Sequence, residues 1–249
     1  MNNFDLILRN VTQRKMRTGL TIFGIALGIF AIMVMGGMSE YLDRHANRGL
    51  DLMSDKIYIV PESGFFGGGL VDSMVSKVRR IPGVFDAYGL LWMPYDMESL
   101  GMFGAFVVGI APEKQEITLK DIKLTEGRLL VPGDRYRAVV GSNVARQYGL
   151  NVGDELEVKS KKVQRTSTIT TTRNFTVVGI MEFTSSDFDY IIGIPIDIAK
   201  KFYEMDDQLT YIWAVPEEGV DGEDFSRRIE LGVENIQIIS PQELRKQSE

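Results

Sequence analysis

From Thr18 to Met38 the chain runs TGLTIFGIALGIFAIMVMGGM, 21 residues without one charge, directly after Arg14, Lys15 and Arg17. A helix rises about 1.5 Å per residue, so this run covers roughly 30 Å, the thickness of a bilayer's hydrocarbon core. Apolar side chains surround every face, which argues against a core helix of a soluble protein. A secretory signal has a shorter apolar region and a small-x-small cleavage site, and MGGMSEYL has none. A membrane helix over 18–42 is therefore expected. The basic lead places its start in the cytoplasm and everything after Ser39 outside.

One feature of the span suggests that this helix meets other helices. Gly24 and Gly28 form a GxxxG pair, and Ala31 extends the same face at i+7. Small residues at this spacing let a second helix backbone approach closely. Ahead of the span, Phe4, Ile7, Leu8 and Val11 fall at i, i+3, i+4 and i+7. Residues 1–17 are thus expected to form a cytoplasmic amphipathic helix, lying in the membrane interface or against a cytoplasmic partner.

The charge balance separates this leader from the rest. Residues 1–17 carry four basic side chains against Asp5, a net +3, leaving 24 basic and 33 acidic residues, a net −9. Such an acidic region makes a poor nucleic-acid surface, which needs clustered Lys and Arg. There is no cysteine and one histidine, His45, so thiolate sites, disulfides and His-rich metal centres are not expected.

The outer region contains a split repeat. KIYIVPESG and TYIWAVPEEG share V-P-E-x-G at Val60–Gly64 and Val215–Gly219, and R-R-I follows at Arg79–Ile81 and Arg227–Ile229. Each copy reads as strand, turn, helix, strand, with Val71, Met74, Val75, Val78 and Ile81 as the first helix's apolar stripe. Prolines 61 and 216 close the leading strands, where a missing N–H does least harm. Between the copies, AFVVGIAP, KDIKLTEGRLL, RAVVGS, DELEVKS and FTVVGIM alternate with turn signals as short strands. One helix interrupts them, with Ser142 as a candidate cap, Val144 and Tyr148 facing inward and Gly149 at its end. TSTITTT (166–172) reads as an exposed hairpin. The expected class is α+β: an α/β lobe over 43–101 and 199–249 with a ferredoxin-like split βαβ arrangement, and an inserted β-rich lobe over 102–198.

No catalytic, cofactor or metal site is expected. GFFGGG (64–69) lacks the Lys-Ser/Thr of a phosphate loop, and VVGSN (139–143) misses the GxSxG spacing. Asp187 and Asp189, with Glu182, lack any calcium-loop spacing and read as a solvated loop.

RKMRTGLTIFGIALGIFAIMVMGGMSE resembles the first membrane segment of MacB/FtsX-type ABC-transporter permeases, which opens with a basic L-R-x-x-L-T-x-L-G-I-x-I-G-like pattern. Met16 stands at the leading Leu position and Phe23 at that of a common Leu. LTEGR (124–128), VVGSNVARQYGLNVGDELEV (139–158), FTVVGIM (175–181) and IGIPIDIAKKF (192–202) resemble that family's extracytoplasmic core domain in the same order. The resemblance implies a non-enzymatic permease portion in the inner or plasma membrane, served by an ABC ATPase subunit that binds ATP in its place. It further implies a second permease subunit, identical or not, and an extracytoplasmic adaptor protein as a partner. Three more membrane helices would follow in such a permease, and none lies before Glu249, so transport by this polypeptide alone is not expected. The competing expectation is a membrane-tethered binding or adaptor domain without transport activity.

Overall fold

The computed structural model describes residues 15–52, 55–64, 68–96, 104–164 and 167–240. The chain divides into two compact units, residues 1–47 and 48–249. The expected amphipathic face of Phe4, Ile7, Leu8 and Val11 lies outside the described residues.

Helix α1 (Lys15–Leu52) contains the uncharged run and continues ten residues past the expected end at 42. The extension DRHANRGLDL holds no proline, and an i,i+4 pair of Arg44 with Glu40 supports the turn where charge reappears. Through residue 38 the described apolar side chains are exposed.

The second unit is built as follows: β1 (Ile57–Pro61), β2 (Leu70–Val71), α2 (Asp72–Val78), β3 (Val84–Asp96) and β4 (Ala105–Ile110). A 3₁₀ turn (Pro112–Lys114) leads into α3 (Gln115–Thr118), then β5 (Leu124–Gly127), β6 (Arg137–Val140) and α4 (Ser142–Tyr148). The hairpin of β7 (Glu155–Gln164) and β8 (Ser167–Met181) precedes a second 3₁₀ turn (Asp187–Tyr190) and β9 (Ile191–Pro195). The chain closes with α5 (Ile196–Tyr203), β10 (Gln208–Leu209), β11 (Tyr211–Pro216), α6 (Gly222–Gly232) and β12 (Ile236–Ile239).

One mixed sheet carries the strand order β12-β1-β11-β3-β4-β9-β6-β8-β5, with β7 paired to β8. From β12 to β3 all neighbours are antiparallel, and α2 and α6 sit in the two βαβ connections. Beyond β3, the pairs β4–β9 and β6–β8 are parallel.

Strand alternation sorts the side chains onto two faces. Ile57, Ile59, Ala87, Ile212 and Ala214 pack with Val78, Phe225 and Ile229 under α2 and α6. Leu91, Val107, Ala138, Val140, Phe175, Ile192 and Ile194 pack with Val144, Ala145, Ile198 and Ala199 under α4 and α5. The opposite face holds one continuous cluster running from Tyr58, Trp213, Tyr88 and Leu90 to Val108, Val139 and Met181, covered by Leu119, Ile122 and Leu130. Each fully buried aliphatic or aromatic side chain contributes about 1.5–3 kcal/mol, set against the entropy lost in ordering the chain.

The thirteen-residue β3 joins the two halves. Its first part pairs with β11 from Val84 to Leu90, and its second with β4 from Leu91 to Asp96. On one side of the strand Ala87 enters the α2/α6 cluster and Leu91 the α4/α5 cluster.

The repeat has a backbone cause. Both copies of V-P-E-x-G end a strand at proline and turn on a glycine of positive φ, Gly64 at 88° and Gly219 at 82°. The R-R-I copies then interlock: Arg228 donates to the Pro82 carbonyl at 3.2 Å, and a Cβ on Gly232 would stand 2.8 Å from Ile81 Cδ1.

Candidate functional site

Helix α1 is the feature built for a different solvent. Its 31 residues from Lys15 to His45 are long and apolar enough to cross a membrane, and the most apolar 18-residue window within them is wholly unburied. Gly24, Gly28 and Ala31 share one exposed face by helical spacing. A Cβ added at either glycine meets nothing within 4 Å, so nothing in this unit requires glycine there.

In the second unit three polar clusters tie distant elements together. The first joins α5 to α2. Lys200 Nζ donates to Asp72 Oδ1 at 2.6 Å and Oδ2 at 2.5 Å, and the Asp72 N–H donates to the Asp207 carbonyl at 3.0 Å. Asp72 stands in the first turn of α2, where a carboxylate also favours the helix dipole.

The second centres on Asp189, which is 1% exposed. Its carboxylate accepts from the Thr184 N–H at 2.8 Å, the Thr184 hydroxyl at 2.9 Å, the Ser142 hydroxyl at 3.1 Å and the Ser186 N–H at 3.2 Å. The loop expected to be solvated is therefore split: Asp187 is exposed, while Asp189 is a buried hub satisfied by hydrogen bonds. Ser142 is diverted by this hub. The N-cap of α4 is Gly141, without a side-chain cap, and the Ser142 hydroxyl turns to Asp189 instead. Gly141 permits the approach, since a Cβ there would stand 2.4 Å from the Asp189 and Phe188 carbonyl oxygens. Gly149 does end α4, in the left-handed region at φ 64°.

The third lies on the strap of residues 112–122. Asp86 accepts from Lys114 Nζ at 2.5 Å, Arg79 Nε at 3.2 Å and the Ala87 N–H at 2.9 Å. At the strap's other end Lys120 Nζ stands 3.8 Å from Asp55 Oδ2. Nearby, Arg128 grips Asp134 at 2.7 and 3.1 Å, which with the Val131 N–H holds the Asp134 carboxyl below its ordinary value. Burial pushes the phenols of Tyr58, Tyr88, Tyr203 and Tyr211 upward.

Among the described residues no group of three or more His, Asp or Glu side chains could hold a metal ion. Sequence reasoning passed over Lys200–Asp72, Asp86 and the role of Asp189. The Ser186-x-x-Asp189 spacing, a capping-box signature, was the one available signal for the last. Nothing in the sequence pairs Lys200 with a residue 128 positions away.

The profile of the MacB-like periplasmic core domain family matches residues 18–231. An uncharacterized ABC transporter permease of Methanocaldococcus jannaschii is 25% identical over 261 residues, covering 96% of this chain. The chain spans 61% of that relative's length. The periplasmic region of MacB from Actinobacillus actinomycetemcomitans superposes with TM-score 0.56 at 14% identity, covering 78% of this chain and 92% of that one. The extracellular domain of the noncanonic ABC-type transporter YknZ from Gram-positive bacteria gives 0.50 at 10% identity, covering 74% and 99%. Both share the fold.

Proposed function

The chain belongs to the MacB-like periplasmic core domain family, and from that premise we propose that it is the permease portion of an ABC transporter of the export or force-transmitting kind. Its architecture is α+β, with one membrane-spanning helix and an extracytoplasmic domain built on a mixed sheet. The basic lead stays inside the inner or plasma membrane, and the domain from residue 48 lies outside. The observation that carries the reading is the attachment of this particular outer domain to an apolar helix of membrane-spanning length.

In this reading the α/β lobe (43–101 and 199–249) is ferredoxin-like, supported by the β12-β1-β11-β3 order, and 102–198 is its inserted β-rich lobe. Gly24, Gly28 and Ala31 receive a helix of a second permease subunit or of the remaining permease. Phe4, Ile7, Leu8 and Val11 rest on lipid or on the partner ATPase, which supplies ATP hydrolysis. ATP-driven motion then reaches the outer domain as a switch between two arrangements, each favoured by one nucleotide state of the partner.

Photo-crosslinking in native membranes from positions 2 and 10 tests this. Crosslinks to an ABC-type nucleotide-binding subunit are expected. Crosslinks confined to outer proteins, with no nucleotide-binding subunit captured from the cytoplasmic side, would favour a tethered adaptor instead.

A further inference from the structure

Beneath the 112–122 strap the sheet carries a row of aromatic rings. Tyr58 pairs across the ladder with Trp213, and Trp213 with Tyr88. Their ring centroids lie 5.0 and 5.9 Å apart. Two residues before Tyr58 on the chain, Lys56 reaches over the Trp213 ring, its Nζ 5.9 Å from the centroid. The strap adds Gln115, whose side-chain carbonyl accepts from the Leu130 N–H at 2.6 Å.

The hydrogen-bond inventory here leans toward donors, the Tyr58 and Tyr88 hydroxyls being the groups that can also accept. Lys56 is 2% exposed, and of its three N–H groups one reaches an acceptor among the described residues, Asp55 Oδ1 at 2.5 Å. Trp213 Nε1, Gln115 Nε2 and the Tyr58 hydroxyl are buried and partnerless among the described residues. Indole N–H and amide NH₂ groups can only donate. An unmet buried donor costs about 1–3 kcal/mol, so several together call for an occupant. In the surrounding ion pairs Lys56, Lys114, Lys120 and Arg79 face Asp55 and Asp86, while the strap's Glu113, Glu116 and Asp121 are turned to solvent, so the buried charge at the rings is the Lys56 ammonium. A cation would meet N–H donors and the Lys56 ammonium, whereas an acceptor finds what it needs.

We propose that Lys56, Trp213, Tyr58 and Gln115 form an enclosed site for a small anion, of the size of a halide or formate, closed by the ion-paired strap. The site is independent of the transport reading, because every residue in it belongs to the second unit. The anion would bridge the Lys56 ammonium to the indole and amide donors. Its charge would be met by the buried Lys56 ammonium.

The test uses the full chain in detergent, with Trp92→Phe leaving Trp213 as the sole indole. Sodium bromide is titrated at constant ionic strength against sodium gluconate, whose anion is too large for an enclosed site. Saturable quenching of Trp213 is expected, with half-saturation at least about tenfold weaker in Lys56→Met, a loss of about 1.4 kcal/mol. Gln115→Met serves as a second variant if Lys56→Met does not fold. Crystals grown in bromide should show anomalous density within hydrogen-bond reach of Lys56 Nζ and Trp213 Nε1. Linear quenching that is equal in parent and variants, or density that is water alone, would overturn the proposal.

Discussion

Lys200 and Asp72, 128 residues apart, meet in a two-pronged ion pair that fastens α5 to the start of α2. The lysine is 12% exposed and the aspartate 55%, so solvent screens one side of the bond. A Lys200→Met, Asp72→Asn double-mutant cycle should give a coupling of about 0.5–1 kcal/mol in denaturant unfolding. A coupling near zero would reduce the contact to a surface pair without structural weight.

The Asp189 hub predicts a larger effect. Asp189→Ala leaves the Thr184 and Ser186 N–H groups without their acceptor, and should cost about 3 kcal/mol, seen as a lowered Tm. Gly141→Ala tests the same junction by crowding rather than deletion. With carbonyl oxygens 2.4 Å from the new methyl, it should destabilise by about 1–3 kcal/mol. Parent-like melting of both variants would contradict the geometry.

Alkaline pH should unfold the outer domain. Burial raises the phenols of Tyr58, Tyr88, Tyr203 and Tyr211, so the folded state holds their protons longer than the unfolded chain does. Their contribution is intact below the ordinary tyrosine value of about 10 and falls as pH rises above it. Ultraviolet titration should show these four ionising together with loss of structure. Smooth titration of all tyrosines without unfolding would be the contrary result.

Gly24→Leu with Gly28→Leu should leave the chain's own fold and Tm unchanged, because neither position meets a neighbour within 4 Å. Association with partner helices should weaken, measured as loss of complex on size-exclusion chromatography in detergent. Retained complex would remove the packing role of this face.

How much of this could be read beforehand depended on the range of the interaction. Short β-rich runs between turn signals, AFVVGIAP and RAVVGS, mark β4 and β6, and V-P-E-x-G marks two equivalent turns, because both are local rules of chain geometry. The Thr-rich stretch lies in β8, where Thr172 pairs with Lys159 of β7, as the strand propensity of threonine favours. Ser142 shows where such rules stop. Its position suits a cap, yet a buried carboxylate 47 residues onward competes for the same hydroxyl and wins. The clustering of Lys56, Trp213 and Gln115 depends on strand order, which no local pattern encodes.

The length of β3 has a mechanical meaning. Two halves of a domain joined by a linker can flex without breaking anything. In this domain the join is a strand that leaves one ladder and enters the next without interruption, paired at Leu90 to Tyr211 and at Leu91 to Gly109. Bending the halves apart there would break paired backbone bonds, each costly to leave unmet. A load applied at one end would therefore pass along the sheet to the other, as it does through a girder rather than a hinge.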